Sequence, residues 1–181
     1  MSEAEQDAGS VPAWPHAITL KDGSEVRVRP LAPDDGPELA AAVERLSPES
    51  RYRRFLSPVP RLSPSQLRSL TDVDHHSREA LIAYDPTSRR GLAVARWGVL
   101  VDDPNTAEVA VAVADEKQRL GLASALLSLL LERARAEGLH EARASTLADN
   151  RGALRLLDRF GFRRTRTEGG VLEFARSLED Q

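Results

Sequence analysis

The stretch with the most chemical content runs Glu108-Val-Ala-Val-Ala-Val-Ala-Asp-Glu-Lys-Gln-Arg-Leu-Gly-Leu-Ala123. Its first half alternates like a half-buried strand headed by Glu108, and its second half is a loop whose Gly121 and Ala123 sit where a helix begins. A helix N-terminus leaves backbone N–H groups unpaired and carries the positive end of the helix dipole. Small residues let a phosphate approach those groups closely, so the loop around Gly121 and Ala123 is a candidate phosphate site. An ordinary strand–turn–helix with a glycine at its bend would carry the same residues. Glu108 is the candidate general base: apolar strand neighbours are expected to raise its pKa toward a useful value. The bland reading of the same residue is a strand-end carboxylate in water. Asn150 suits a helix N-cap.

Other clusters carry weaker signals. Thr71-Asp-Val-Asp-His-His76 offers metal-ligand types, but adjacent side chains point apart and no second His/Asp pair has ligand spacing. We read it as local capping, with an acceptor-side role for this segment or for Glu79 as the alternative. Residues 47 to 70 hold five Arg and one acidic residue. That is either a solvated face or a rim that favours acidic surroundings on a substrate.

These residues need elements to position them. Residues 1 to 15 are polar with Gly9, Pro12 and Pro15, and are expected to form a disordered tail before a single domain at 16–177. Ala17–Leu20 and Glu25–Arg29 suggest a hairpin. Helices are expected at Gly36–Leu46, capped by Asp34 or Asp35, and after Ser47-Pro48 and Ser63-Pro64. Strands are expected at Glu79–Tyr84, Gly91–Val101 and Thr106–Ala114, broken by Pro86 and Asp103-Pro104. A helix at Leu120–Ala136, a strand at Glu141–Leu147, a helix at Asn150–Phe160 and a closing hairpin at Phe162–Thr167 and Val171–Ala175 complete a mixed α/β sheet.

Composition removes several function classes. The 181 residues contain no cysteine, so disulfides, a cysteine nucleophile and thiolate metal sites are out. The net charge of −3 comes from Glu3, Glu5 and Asp7 alone; the rest is neutral, which argues against nucleic-acid binding. No apolar run is long enough to cross a membrane, and the acidic N-terminus does not read as a signal peptide, so we expect a cytoplasmic protein.

Gln118-x-x-Gly121-x-Ala123 after a strand, followed by Asn150-x-x-Ala153 and Gly161-Phe162, resembles the GNAT superfamily of N-acetyltransferases over about residues 25 to 176. The resemblance implies a mostly antiparallel, splayed sheet flanked by helices, with acetyl-coenzyme A in the splay. It implies that Gln118, Arg119, Leu120, Gly121, Leu122, Ala123 and Ser124 hold the pyrophosphate, that Val111 and Val113 present strand backbone to the pantetheine arm, and that Asn150 bonds that arm. It implies Glu108 as base and no metal. Leu157 stands where the family usually has a Tyr that protonates the leaving thiolate. Leu46-Ser-Pro-Glu-Ser-Arg-Tyr-Arg-Arg-Phe55 with Asp72-Val-Asp-His-His76 narrows the resemblance to Pat-type bacterial protein lysine acetyltransferases, which often lack that Tyr too. The implied acceptor is a protein lysine, with a small-molecule amine as the alternative. A non-catalytic acyl-coenzyme A sensor is the other reading.

Overall fold

The computed structural model describes residues 13 to 179. Eight strands form one sheet in the order β1-β2-β3-β4-β5-β6-β8-β7. They are β1 (His16–Thr19), β2 (Glu25–Pro30), β3 (Arg78–Tyr84), β4 (Gly91–Leu100), β5 (Asp103–Val113), β6 (Glu141–Leu147), β7 (Arg163–Glu168) and β8 (Val171–Ser177). Every neighbour pair is antiparallel except β5 with β6, which is parallel and short: Thr106, Ala107 and Glu108 pair with Glu141, Ala142 and Arg143. Beyond Glu108 the two strands part and leave a V-shaped opening. The expected splayed, mostly antiparallel sheet is therefore the observed one.

Five α-helices accompany the sheet: α1 (Gly36–Arg45), α2 (Pro48–Phe55), α3 (Pro64–Thr71), α4 (Leu122–Ala136) and α5 (Arg151–Arg159). Helix α4 turns Leu122, Leu126, Leu127, Leu130, Leu131 and Ala134 onto one face of the sheet. At about 2 kcal/mol per buried leucine, this stripe is the main force seating the helix. On the opposite face Leu31, Leu39, Ala80 and Ile82 form a second core with Leu67 and Leu70. Strand β3, covered on both sides, is accordingly an unbroken buried run from Glu79 to Tyr84. The edge strand β7 is exposed throughout and carries Arg163, Arg164 and Arg166, charges that discourage edge-to-edge pairing.

Several boundaries differ from the sequence expectation. Pro104 lies inside β5, near its start, although it was expected to separate two strands. Asp35 occupies the N-cap position of α1, but its carboxylate makes no cap hydrogen bond there; it binds Arg29 at 2.7 Å and the Ala32 N–H at 2.8 Å. The expected tail falls outside the described residues up to position 12, but Trp14 packs against the main core, with the Arg133 guanidinium 5.7 Å from its ring centre. Ser47 and Ser63 cap α2 and α3 as expected.

Candidate active site

The loop leaving β5 owes its shape to two residues in left-handed conformation, Arg119 at φ 63° and Gly121 at φ 95°. Gly121 is the N-cap of α4, and no side chain caps that helix. The N–H groups of Leu122, Ala123 and Ser124 thus have no acceptor within the helix and point outward. A β-carbon on Gly121 would meet the Lys21 side chain at 3.9 Å. Lys21 belongs to the β1–β2 turn, whose backbone is tied to this loop by Lys21 N–H to Leu120 O at 3.1 Å. The opening of α4 therefore combines bare N–H groups, a dipole end and a neighbouring ammonium, which is chemistry that fits a pyrophosphate. In sequence, Lys21 reads only as part of a Lys-Asp-Gly turn, so its place beside Gly121 was not visible.

Gln118 has a different job from the loop backbone. Its Nε2 donates to Ser50 Oγ at 3.2 Å and to Val113 O and Asp115 Oδ1 at 3.3 Å. Asp115 in turn accepts from Ser47 N–H at 2.8 Å and from Ser50 Oγ at 2.6 Å. This network fastens the start of α2 to the loop. Burial raises the Asp115 carboxyl, but the hydrogen bonds from Ser50 and Ser47 outweigh it and hold the group below its ordinary value.

Strand β5 presents its free edge to the opening. Ala114 donates its N–H to Leu92 O, on the β4 side, at 2.8 Å. Counting back by twos along an extended chain, Ala110 and Ala112 also face β4 with their backbone groups. Past the last β5–β6 pair, Val111 then directs its N–H and C=O into the V and Val113 its N–H, while Val113 O accepts from Gln118 Nε2. Asn150 stands at the other arm. Its Oδ1 accepts the Ala153 N–H at 3.1 Å and caps α5, which leaves the side-chain NH₂ for other contacts.

Glu108 occupies the last register at which β5 and β6 are paired, at the vertex of the V. It is exposed and sits mid-strand, not at the strand's head as expected. Its neighbours Ala107 and Val109 are buried against α4, so the Glu108 side chain projects from the opposite face, toward α2. Apolar flanking residues in sequence do not enclose it, because strand alternation sends them to the other side. Glu79 is on that other side. It is fully buried, accepts Arg133 Nε–H at 2.6 Å and lies 2.7 Å from His75 Nδ1. Glu79 is thus engaged on the side of the sheet away from Glu108.

The Asp72–His76 segment does what capping predicts. Asp74 accepts from the N–H groups of His76, Ser77 and Arg78 and from Ser77 Oγ, while His76 pairs with Glu137 at 3.1 Å. Among the described residues no group of three or more His, Cys, Asp or Glu could hold a metal ion. Leu157, on α5, turns its side chain into the main core. A groove of about 780 Å³ lies elsewhere, between α4, the end of α5 and β8, and shares no residue with the loop or with Glu108.

The acetyltransferase (GNAT) family model matches residues 39–162. Acetyltransferase PA5475 of Pseudomonas aeruginosa is 32% identical over 146 residues, 80% of this chain and 78% of that protein. The GNAT domain of S. lividans PAT superposes with a TM-score of 0.85 at 32% identity, covering 93% of this chain and 99% of that domain. Acetyltransferase Pat of Mycolicibacterium smegmatis is 28% identical over 158 residues; the chain spans 87% of itself there but only 47% of that longer protein. The chain belongs to the GNAT family of acetyltransferases. It is an N-acetyltransferase, and the family's donor is acetyl-coenzyme A.

Proposed function

We propose that the protein transfers an acetyl group from acetyl-coenzyme A directly to the side-chain amine of a protein lysine. The observation that carries this reading is Glu108 at the vertex of the V, on the same strand as the backbone edge of Val111 and Val113. In this reading the loop from Gln118 to Ser124, helped by Lys21, binds the pyrophosphate. The edge of Val111 and Val113 and the Asn150 amide hold the pantetheine arm. The acceptor enters from the face of α2 and meets Glu108.

The steps follow from ordinary pKa values. A lysine ammonium near pKa 10.4 is over 99% protonated at neutral pH, so it must lose a proton before attack. Glu108, or a water it orients, takes that proton. The amine nitrogen then bonds to the thioester carbon, and the oxyanion forms next to the β5 N–H groups that face the opening. The C–S bond breaks, the attacking nitrogen gives its second proton to solvent, and the neutral amide remains. A coenzyme A thiol resembles a free Cys thiol, near pKa 8.5, so the departing thiolate is tolerable at neutral pH and takes its proton from water. That accounts for turnover with Leu157 in place of a Tyr. Similarity to the acetyltransferases named Pat supports the protein-lysine acceptor, and the donor and such acceptors meet in the cytoplasm. A small-molecule amine is the alternative, since acceptor loops differ most among relatives.

The test is steady-state thiol release from acetyl-coenzyme A with lysine peptides and with small amines. Faster release with peptides, with acetyl-lysine in the product, supports the reading. Release only with small amines replaces the acceptor. Tight coenzyme A binding without turnover on any amine makes the protein a sensor.

A further inference from the structure

The face of the sheet that carries Glu108 also carries an arginine cluster, and its members differ in one respect. Arg45 is neutralised by Glu38 at 2.6 Å and Arg53 by Glu49 at 2.6 Å. Arg51 spends its guanidinium on Pro60 O at 2.8 Å. Arg54 and Arg96 have no carboxylate within 4.0 Å among the described residues, and Arg96 gives one N–H to Leu70 O at 3.2 Å. Both line one narrow cavity of about 60 Å³ between α1, α2 and β4, whose other walls include Leu46, Phe55, Ile82 and Ala112.

Register places this cavity beside the candidate base. Gly98 of β4 pairs with Glu108, and Arg96 of the same strand pairs with Ala110, so Arg96 and Glu108 extend from one face at diagonal positions. Arg54 comes from the last turn of α2 and is close enough to feel the Glu108 charge. An arginine at a helix C-terminus is ordinary, and its contact with the Phe55 ring at 5.0 Å is local. The unusual feature is two half-buried cations next to each other with no carboxylate at ion-pair distance, Glu108 being the anion whose charge Arg54 feels. Burial and the charges of Arg54 and Arg78 bring Arg96 down to about 10. Such a pair is costly in the free protein and gains most from an anion that enters the cavity.

Resting on the acetyl-transfer reading, we propose that the acceptor amine arrives with a carboxylate nearby, which docks on Arg54 and Arg96 while the amine meets Glu108. For a protein acceptor this means a lysine flanked by Asp or Glu; for a small molecule, an amino acid. The two ends of the acceptor are read by opposite charges on one face, which fixes its direction as well as its affinity.

The experiment measures kcat/KM for paired peptides that differ only in Glu or Gln beside the lysine, together with free amino acids and their amides. The parent is expected to favour the carboxylate member of a pair by about tenfold or more, mostly through KM, and less so at high salt. Arg54→Gln and Arg96→Gln should each bring that ratio to within about twofold, while Arg51→Gln keeps it. If Arg96→Gln fails to fold, Arg54→Gln alone decides. Preference among peptides identifies an acidic-flanked lysine as the source, and preference confined to amino acids over their amides identifies a small molecule. Equal rates within every pair overturn this inference and leave acetyl transfer standing. A preference that survives both substitutions also overturns it. No turnover on any amine, with coenzyme A bound, removes the acceptor reading and this inference together.

Discussion

The Glu79 carboxylate and the Arg133 guanidinium are joined through the sheet's α4 face, Nε to Oε2 at 2.6 Å, with Glu79 itself fully buried. Ala80 N–H and His75 complete the shell around that carboxylate, at 2.8 and 2.7 Å. This ion pair clamps β3 to the last turns of α4 and lies on the opposite side of the sheet from Glu108. The two glutamates have thus divided their work, one holding the fold and one facing the opening.

Glu79→Gln is expected to destabilise the protein by about 3–5 kcal/mol, because Arg133 is left without its counter-charge in a largely buried place. Denaturant unfolding measures that loss. The rate per folded molecule should change by less than about threefold, since Glu79 is engaged on the side of the sheet away from Glu108. A hundredfold fall in rate with unchanged stability would favour Glu79 as the base.

Gly121→Ala and Gly121→Val probe the cradle. At φ 95° any L-residue is strained, by about 1–2 kcal/mol, and a β-branched one more. The added carbon also points at Lys21. Coenzyme A binding by calorimetry should weaken at least about tenfold with Ala and vanish with Val, while circular dichroism keeps the folded signature. Lys21→Ala should weaken binding several-fold and flatten its salt dependence. Parent-like affinity in Gly121→Val would put the pyrophosphate elsewhere.

How far the sequence could be read depends on the range of the interaction involved. Strand and helix identities came from local periodicity, as in the leucine stripe of α4 and the Ser-Pro starts of α2 and α3, and were legible. The splay is implied only through the family motif, because where β5 parts from β6 depends on pairing between residues 35 positions apart. The burial around Glu108 was misjudged because apolar neighbours in a strand line the other face. Asp35 stands at the N-cap position of α1 as expected, but its carboxylate is drawn to Arg29, a partner on β2 that local rules do not see. The Asp115 bridge to Ser47 and Ser50 joins elements more than sixty residues apart and has no sequence signal.

That bridge carries a pH signature. The Asp115 carboxyl is held below its ordinary value in the folded protein, against about 3.9 when unfolded. Its contribution is therefore complete above about pH 4 to 5 and is lost as pH falls through the folded value. Asp115→Asn should be less stable than the parent at pH 7, and the gap should close on acidification below about pH 4. Coenzyme A affinity should also fall in Asp115→Asn, since Gln118 loses an anchor. Urea midpoints at a series of pH values give the comparison; a gap that is constant from pH 3 to 7 contradicts the assignment.

Leu157→Tyr tests whether a missing acid limits turnover. Leu157 is buried in the main core, so a larger ring with a hydroxyl overpacks it and should cost about 1–3 kcal/mol. The rate per folded molecule should change by about tenfold or less, because the thiolate already leaves readily at neutral pH. A gain of a hundredfold or more, the usual scale of a general acid, would mean the parent lacks a needed proton donor and is better read as a sensor.

Glu108→Gln is the sharpest comparison. Gln keeps the size and hydrogen-bonding shape of the side chain but accepts no proton. At neutral pH the rate on an amine acceptor should fall by roughly 10²- to 10⁴-fold while acetyl-coenzyme A affinity stays within about twofold. The sign of the pH effect follows from the acceptor. Below its pKa near 10.4 the amine is protonated and the base is needed; as pH approaches that value the neutral amine becomes abundant and the variant should recover relative to the parent. A carboxylate that merely sits in water at the edge of the opening gives a change of a few-fold with no pH dependence. Rate ratios measured from pH 6 to 10 separate the two outcomes, and a flat ratio would leave a water relay at the vertex of the V as the base.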